Sequence, residues 1–410
     1  MPRVERLYHI ILIAFCGTWL LLKALVGPTL IILLILSFIG NQRNENRFRI
    51  NNLNWLWILL FGIYALSLLW SSSPDYEALE RKLAFIAFPL LFAFKWGKPL
   101  PISKMWLAHA IGCLLLVAIA YYDAIACQLT LGDSVRCFST TYFSQVHHPS
   151  YFSAFLLLSI IGLLFKKIAW FDEQRSWISW LLICVFSAMH LHLGTLAGML
   201  ALIMIFVVYL SIELAKKWGV YRSILFGLVV FCVGIFTALQ SSEIKADALN
   251  AIDFTSDYLK SPQAFVESRK EPLQGNELRL ILWTASFQEA YAYPFGLGLG
   301  GMEPSLSVRL IHWGYPLQAK KQFNPHNQFL QILNEIGILG LILFLAIIVQ
   351  FIRCARKQNE IYLIIFAIVF AIFSLFESVL QRESGIVFFV CWFCVFNTFW
   401  INKTLIKSSR

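Results

Sequence analysis

The stretch that decides the fold is FNPHNQFLQILNEIGILGLILFLAIIVQFI, residues 323–352. Its part 336–352 is mainly apolar and is just long enough to cross a bilayer, because a membrane-spanning helix needs about 20 mainly apolar residues, with a lower limit of about 17. Its first half places Asn, His, Gln and Glu side chains directly against that apolar run. Polar groups at such a depth are costly and usually face a protein or water-filled cavity. The stretch therefore predicts a transmembrane helix with a polar site at its start.

The whole chain has the composition of a polytopic membrane protein. Of its 410 residues, 59% are hydrophobic and 14% are charged, whereas soluble domains have about 25% charged residues. The net charge of +10 is explained by basic cytoplasmic loops, so it does not indicate nucleic-acid binding. We predict an all-α fold in the lipid bilayer with about twelve transmembrane helices of about 20 residues each. They are placed at 8–22, 25–40, 54–71, 82–96, 105–126, 148–165, 177–192, 194–211, 221–239, 336–352, 360–378 and 385–402.

The distribution of Lys and Arg predicts the orientation of these helices. With a cytoplasmic N-terminus, 20 of the 33 basic residues fall in cytoplasmic segments and 5 in the short loops opposite. This asymmetry follows the positive-inside rule, so both termini are predicted to be cytoplasmic. The segment Met1–Arg6 and the apolar run after it lack a small-residue cleavage site. The first span is therefore interpreted as retained rather than as a signal peptide.

Residues 240–335 form the one soluble-looking segment, and at roughly 95 residues it is too long for a simple connector. We predict a periplasmic loop domain here, between transmembrane helices 1–9 in residues 1–239 and helices 10–12 with a cytoplasmic tail in residues 336–410. Apolar residues at helical spacing predict an amphipathic helix over Asn276–Tyr293 within this loop. Pro294 stops that helix.

His326 is the first candidate functional residue. Asn324 is predicted to cap the following helix and Pro325 to take its first position. A plain helix start does not account for His326, Asn327 and Glu335 together at a membrane boundary. A histidine there is a candidate general base, because its ordinary pKa of about 6.5 is close to neutral pH. The alternative is a polar helix terminus without a ligand.

Arg279 is the second candidate, on the predicted loop helix. A guanidinium group binds phosphate oxygens through two parallel hydrogen bonds, so Arg279 would suit a phosphate clamp. The alternative is a solvated helix face. Two further polar residues, Glu377 and Arg382, lie near the external end of the eleventh span and are interpreted as a structural pair.

The nine cysteines follow no metal-ligand spacing, and we predict no metal and no cofactor. Most lie inside apolar spans, where a buried inert thiol is the usual state. Cys127 and Cys137 are different, because they bracket a short polar loop. They would form a disulfide if that loop faces an oxidising compartment, and otherwise they are two free thiols.

Four motifs follow one another within residues 277–341. They are Glu277–Trp283 (ELRLILW), Pro294–Gly298 (PFGLG), Asn324–Gln331 (NPHNQFLQ) and Glu335–Leu341 (EIGILGL). In sequence and order they resemble motifs of the O-antigen ligase and O-antigen polymerase superfamily, membrane glycosyltransferases of the bacterial envelope. The predicted layout, with one large external loop before the tenth span, is similar to that family as well. The motif His148–Phe152 (HPSYF) resembles one branch of it.

The resemblance implies a GT-C type enzyme in the bacterial inner membrane, with its active site facing the periplasm. Such enzymes take a glycan from undecaprenyl diphosphate without a metal. His326 would be the base, Arg279 the diphosphate clamp, and Asn327 or Glu335 would orient the base or contact substrate. Direct attack would invert the anomeric centre. The acceptor expected first is the lipid A-core oligosaccharide, as in an O-antigen ligase.

Other reactions remain open from the sequence. A repeat-unit polymerase or a protein O-oligosaccharyltransferase would use the same donor. A lipid or solute transporter is the alternative from a different class, since polar residues inside membrane spans suit that function too. The sequence shows neither inverted-repeat halves nor a nucleotide-binding loop, which favours the transferase.

The chain departs from the family pattern at the junction of the seventh and eighth spans. Many members carry a second basic residue there, and this chain has Leu196. His190 and His192 lie just before it and would supply donors to the substrate, or else they are interfacial histidines without a ligand. His148 and His147, at the external end of the sixth span, would line the same cavity or simply precede a helix.

Overall fold

The computed structural model describes residues 2–41, 48, 50–94, 96, 98–168, 176–219, 221–222, 225–229, 232, 242–271, 273 and 275–408. The helices of this part of the chain are numbered here in sequence order. They are α1 (Pro2–Thr18), α2 (Val26–Asn41), α3 (Asn52–Ser67), α4 (Tyr76–Arg81), α5 (Ala84–Leu91), α6 (Ile102–Leu131), α7 (Ser134–Cys137), α8 (Thr140–Phe143), α9 (Pro149–Leu164), α10 (Ser176–Leu193), α11 (Leu196–Trp218), α12 (Ser242–Lys260), α13 (Pro262–Ser268), α14 (Gly275–Ala292), α15 (Met302–His312), α16 (Pro316–Ala319), α17 (Gln328–Lys357), α18 (Ile361–Phe376) and α19 (Glu383–Ser408).

The predicted helical membrane fold is confirmed, although the count of twelve spans remains a prediction. Five stretches in the described residues are long and apolar enough to cross a membrane: Lys23–Gly40, Ile102–Leu131, Ser176–Leu193, Leu196–Trp218 and Gln328–Lys357. Four more apolar helices are shorter: α3, α9, α18 and the first part of α19. The predicted fourth span, 82–96, contains only the short helix α5. The predicted ninth span, 221–239, lies mostly outside the described residues.

Helix α9 is at the centre of the bundle. Its sequence PSYFSAFLLLSIIGLL has no charged residue, and all 16 of its residues are buried. A helix that is apolar on every side has no face suited to water, so it is stable only when other helices surround it. Here α6, α10, α11, α18 and α19 pack around it. The sixth span begins as expected, with Pro149 at the first helical position.

Helix α17 is broken at Gly337, inside the stretch 323–352. Gly337 has φ +71° and ψ −169°, a conformation that only glycine adopts readily. The break frees the carbonyl groups of the preceding turn. The amide of Leu297 donates to Asn334 O at 2.7 Å, and the amide of Gly298 donates to Glu335 O at 2.9 Å. The PFGLG turn therefore docks into the break and replaces the lost helical hydrogen bonds.

The start of α17 corrects one prediction. Asn324 and Pro325 were expected to begin the helix, but α17 begins at Gln328 and its cap is Asn327. The Asn327 side chain accepts hydrogen bonds from the amides of Phe329 and Leu330, at 3.0 and 3.1 Å. A capping side chain must lie just outside the first turn, and here it lies three residues later than expected. The NPHN motif is therefore a turn before the helix.

The segment between α11 and α17 has a hydrophobic core of its own. Phe265, Ile281, Leu282, Leu310 and Tyr315 pack together in a cluster separate from that of the bundle. The predicted helix Asn276–Tyr293 is observed as α14, Gly275–Ala292, with its apolar residues in this cluster.

Cys127 and Cys137 form a disulfide, the first of the two alternatives open from the sequence. It joins the last turn of α6 to the end of α7 and closes a loop with a sequence separation of 10. Such bonds persist in oxidising compartments. The disulfide therefore agrees with an external position for this end of the bundle.

Candidate functional site

The NPHN turn presents His326 in a constrained conformation. His326 has φ +47°, a region that few residues other than glycine occupy. The side chain of Asn324 holds the turn, since its Oδ1 accepts from the amide of His326 at 2.9 Å. The indole of Trp283, on α14, donates to Pro325 O at 2.8 Å. The loop helix thus fixes the turn from outside, and two of the sequence motifs are in direct contact.

His326 pairs with Glu377, which directly follows α18. Nδ1 of His326 lies 3.4 Å from Oε2 of Glu377. The other carboxylate oxygen, Oε1, accepts from the hydroxyl of Ser150 at 2.8 Å. The His326 side chain is 31% exposed and that of Glu377 14%. One side of the imidazole is therefore held by a largely buried carboxylate, while part of the ring remains open to solvent or substrate.

The environment of Glu377 favours its ionised form. Burial alone would raise the pKa of this carboxyl, but the hydrogen bond and positive charge of His326 act in the opposite direction. His148 and Ser150 add to that effect, so the pKa of Glu377 lies below its ordinary value. Burial is the largest single cause, but the hydrogen bonds to the charged form and the neighbouring positive charges together outweigh it. Glu377 is consequently an anion at neutral pH and a suitable partner for an imidazolium.

Arg279 lines a cavity of about 250 Å³ at the same end of the bundle. Its lining comes from five parts of the chain: Thr140 and Thr141, His148 to Ser150, Leu193 to Ala197, Arg279, and Phe376 with Glu377. In the described residues Arg279 makes no hydrogen bond or ion pair with a side chain, and it is only partly buried. Its guanidinium is thus free to bind an anion in this cavity.

His148 is the second predicted residue that the cavity contains. Burial is the main cause that lowers its pKa, and the charges of Arg382, His326 and Arg279 act in the same direction. Glu377 opposes them without reversing the result. His148 is therefore neutral at physiological pH and would act as a hydrogen-bonding group rather than as a cation. The charges of His326 and Arg279 both affect His148, so these two candidates lie near it.

His190 and His192 do not line the cavity. His190 is fully buried in α10, and its Nδ1 donates to Phe186 O at 2.9 Å. Nδ1 of His192 donates to Phe138 O at 2.9 Å, and its Nε2 lies 3.4 Å from the hydroxyl of Tyr121. Leu196, by contrast, does line the cavity and is 48% exposed. An apolar side chain thus stands beside Arg279 where the family pattern has a cation.

Asn327 and Glu335 are buried and hold structure together. Besides capping α17, Asn327 donates from Nδ2 to Leu375 O at 3.2 Å, next to the Glu377 segment. Glu335 is 3% exposed, and its Oε1 accepts from Nε2 of Gln331 at 2.6 Å. Gln331 in turn accepts from Ser378 Oγ at 3.1 Å. Both residues therefore help to hold the NPHN turn and the residues next to Glu377 in place, and neither lines the cavity.

Glu377 lies at the centre of the site, although its sequence position indicated only a structural role. It was interpreted as the partner of Arg382, whereas its observed partners are His326 and Ser150. A signal was present, because an ionisable residue at the end of an apolar helix is costly unless it has a function or a partner. Its distance of 51 positions from His326 concealed the pairing. Ser150 also went unnoticed, as part of the HPSYF motif.

The arrangement suits acid–base chemistry beside an anion. A histidine oriented by a carboxylate can accept a proton on its other nitrogen, as in catalytic dyads. A guanidinium in the adjoining cavity can bind or stabilise a phosphate. Within the described residues, no group of three or more His, Cys, Asp or Glu side chains is placed to hold a metal ion.

Comparison with known proteins agrees with this geometry. A family model described as O-antigen ligase matches residues 180–345, which run from α10 to the second half of α17 and include both Arg279 and His326. A search of curated proteins gives no match. Over this segment the chain is similar to the O-antigen ligase and polymerase superfamily, and the multi-pass helical architecture agrees with that similarity.

Proposed function

We propose that this protein is an O-antigen ligase, which transfers a glycan from undecaprenyl diphosphate to the lipid A-core oligosaccharide at the periplasmic face of the inner membrane. The observation that supports it most is the His326–Glu377–Ser150 arrangement beside the Arg279 cavity. The family supports a glycosyltransferase of the ligase or polymerase type. The lipid A core as acceptor is a further part of the proposal, beyond the reaction type that the family match supports.

In the proposed reaction, Nε2 of His326 removes the proton from an acceptor hydroxyl as that oxygen attacks the anomeric carbon. The bond from this carbon to the diphosphate oxygen breaks, and its electron pair leaves with undecaprenyl diphosphate. The anomeric centre is inverted, and His326 passes its proton to solvent. Glu377 would stabilise the imidazolium that forms, through Nδ1. Arg279 would stabilise the charge that develops on the diphosphate.

The test uses purified protein and an undecaprenyl-diphosphate-linked glycan. One reaction contains lipid A-core, and a second contains no other acceptor. A product on lipid A-core only is expected. A ladder of polymer formed without lipid A-core would instead identify a repeat-unit polymerase, and glycan on a supplied protein hydroxyl would identify a protein transferase. No release of undecaprenyl diphosphate in any reaction would contradict all three and leave a transporter.

The role of His326 is tested in the same assay. His326→Ala should lower turnover by at least about 100-fold, which is the contribution expected of a general base. Size-exclusion chromatography in detergent shows whether the variant is properly folded. Undiminished turnover in a folded variant would remove His326 from the mechanism.

A further inference from the structure

The Arg279 cavity has a wall that the family match does not include. Residues 127–143, the wall segment, run from the last turn of α6 through α7 and α8. Thr140 and Thr141 belong to it and line the cavity together with Arg279 and His148. Both threonines are exposed, and in the described residues neither hydroxyl bonds to another protein group. Two hydrogen-bond donors are therefore available in the cavity besides the guanidinium.

Two independent contacts hold the wall segment in place. The Cys127–Cys137 disulfide closes its first half. His192, on α10, holds the second half, since its Nδ1 donates to Phe138 O at 2.9 Å. The His192 ring also stacks on buried Phe143, with ring centroids 5.0 Å apart. The Tyr121 hydroxyl lies 3.4 Å from Nε2, the other ring nitrogen of His192. His192 is thus a support for the wall.

Thr140 has a strained backbone conformation, and the wall segment is tightly packed around it. Thr140 has φ +46°, which is unfavourable for a β-branched residue. The wall also lies tightly against the turn between α10 and α11: a Cβ added to Gly194 would lie 3.2 Å from Cγ2 of Thr140. Strained conformations persist where surrounding contacts impose them, and they concentrate at functional sites.

The charge of the proposed donor requires hydrogen-bond donors in the cavity besides Arg279. A diphosphate carries at least two negative charges, whereas the cavity lining has Arg279, the anion Glu377, neutral His148 and apolar Leu196. One guanidinium cannot bond all the phosphate oxygens. Hydroxyl groups can bond the remaining phosphate oxygens. Such bonds are strong, because hydrogen bonds to a charged acceptor are stronger than those between neutral groups.

We propose that Thr140 and Thr141 bind the diphosphate of the donor lipid, and that the disulfide and His192 position them for this contact. The inference rests on the proposed function. It assigns Thr140 and Thr141 to substrate binding and makes Cys127, Cys137 and His192 positioning residues. A positioned wall lowers the entropy that binding would otherwise cost.

The hydroxyls are tested with undecaprenyl diphosphate itself as the probe, bound to the full-length protein in nanodiscs. Thr140→Val together with Thr141→Val keeps the shape and removes both donors. We expect the dissociation constant to rise about tenfold or more, since each bond to a charged group contributes severalfold or more to affinity. The donor KM should rise in parallel, with kcat within about threefold. Thr18→Val is the matched control, because Thr18 lies at the end of α1, outside the wall segment, and its hydroxyl donates to Ala14 O of its own helix at 3.0 Å.

The positioning residues are tested with Cys127→Ser paired with Cys137→Ser, and by treating the unaltered protein with reductant. Both should weaken probe binding about three- to tenfold, with an effect on donor KM rather than kcat. Cys184→Ser, at an exposed free cysteine, should bind normally and respond to reductant like the unaltered protein. If the double serine variant fails to fold, reductant titration of folded protein provides the measurement.

Two outcomes would overturn the proposal. One is probe binding by the valine pair within about twofold of Thr18→Val, and the other is no binding by the unaltered protein. Failure of the proposed mechanism would look different. In that case His326→Ala would keep its turnover while probe binding still depended on Thr140 and Thr141.

Discussion

At the scale of single residues, the contact between His326 and Glu377 determines what the site can do. A histidine alone is a base of no fixed orientation. Glu377 fixes the ring through Nδ1, and Ser150 fixes Glu377 in turn. The tautomer that leaves Nε2 free to accept a proton is then favoured, because Nδ1 carries the proton that faces the carboxylate. The orientation of the base thus depends on a residue outside the NPHN motif.

Glu377→Gln is expected to lower kcat by about 10- to 100-fold, since a hydrogen bond to a charged group contributes about 1.5–3 kcal/mol. The donor KM should not rise, because removing an anion from the cavity lining cannot weaken the binding of a phosphate. Initial rates at varied donor concentration measure both constants. Glu360→Gln is the control: it removes the 3.2 Å pair with Lys167, which lies beyond the end of α9 opposite the cavity. A Glu377→Gln enzyme with unchanged kcat would refute the positioning role.

At the scale of elements, the broken helix α17 connects the bundle to the loop domain. The backbone of Pro294 to Gly298 lies so close to the break that side chains are excluded on both sides. A Cβ on Gly296 would lie 2.6 Å from Glu335 O, and one on Gly337 would lie 2.4 Å from the backbone of Phe295. The glycines of the two motifs therefore allow the loop domain to pack closely against the start of α17. That contact places α14 next to the NPHN turn.

Gly337→Ala is expected to lower the free energy of unfolding by at least about 1–3 kcal/mol, the cost of a residue held in a disfavoured backbone conformation. The overlap with Phe295 adds to that cost. The melting temperature of the detergent-solubilised protein should fall clearly. Gly62→Ala is the control, because it lies within α3 and an added Cβ meets nothing within 4 Å. Equal melting temperatures for the two variants would mean that the break is not required.

A second contact between elements gives a dependence on pH. Glu303, at the start of α15, accepts from Nε2 of Gln381 at 3.0 Å. Burial and then the charge of Glu335 raise the pKa of Glu303 to about 7. A carboxyl with a raised pKa prefers to be neutral in the folded state. Its contribution to stability is therefore complete below about pH 4.5 and is lost as the pH rises through 7.

Glu303→Gln should remove this loss, because glutamine stays neutral. The variant should be more stable than the unaltered protein at pH 8, by up to about 3 kcal/mol, and closer to it at pH 5. Melting temperatures at the two pH values provide the comparison. Glu80→Gln, at an exposed carboxyl, should show no such difference. A Glu303→Gln variant that is destabilised equally at both pH values would contradict the explanation.

At the scale of the whole molecule, the site lies at one end of a bundle built around α9. The first residues of α9 lie beside His326 and Glu377, and its far end leads to Lys167, which pairs with Glu360. The predicted positive-inside orientation assigns that far end to the cytoplasm. The cavity, the loop domain and the disulfide then face the periplasm. A lipid-linked donor would reach the cavity from the outer leaflet.

Reporter fusions test this orientation. Green fluorescent protein at the C-terminus should fluoresce, since it folds in the cytoplasm, and alkaline phosphatase inserted after exposed Lys320 should be active, since it needs an oxidising compartment. A second alkaline phosphatase insertion after Lys166, at the opposite end of α9, should be inactive and serves as the control. The reverse pattern would place the site on the cytoplasmic side and exclude a periplasmic reaction.

The sequence by itself determined the class of fold, the loop helix α14 and the two candidate residues, His326 and Arg279, on which the proposed function rests. Hydropathy, periodicity and short motifs carry this information because they are local: each depends on neighbours within a few helical turns. The helix start was misplaced by three residues, since Asn324 and Asn327 are chemically equal candidates for a cap and only the backbone of the turn distinguishes them.

Only the tertiary structure decided which side chains meet. Glu377 lies 51 positions from His326, and Ser150 lies 227 positions from Glu377. Packing around α9 brings them together, and no local pattern carries that information. The same packing directs His192, a candidate ligand from the sequence, to Phe138 O in the wall segment. Thr140 and Thr141 line the cavity beside Arg279 instead. A residue's chemistry can be read from its type, but its partners are set by the way helices pack.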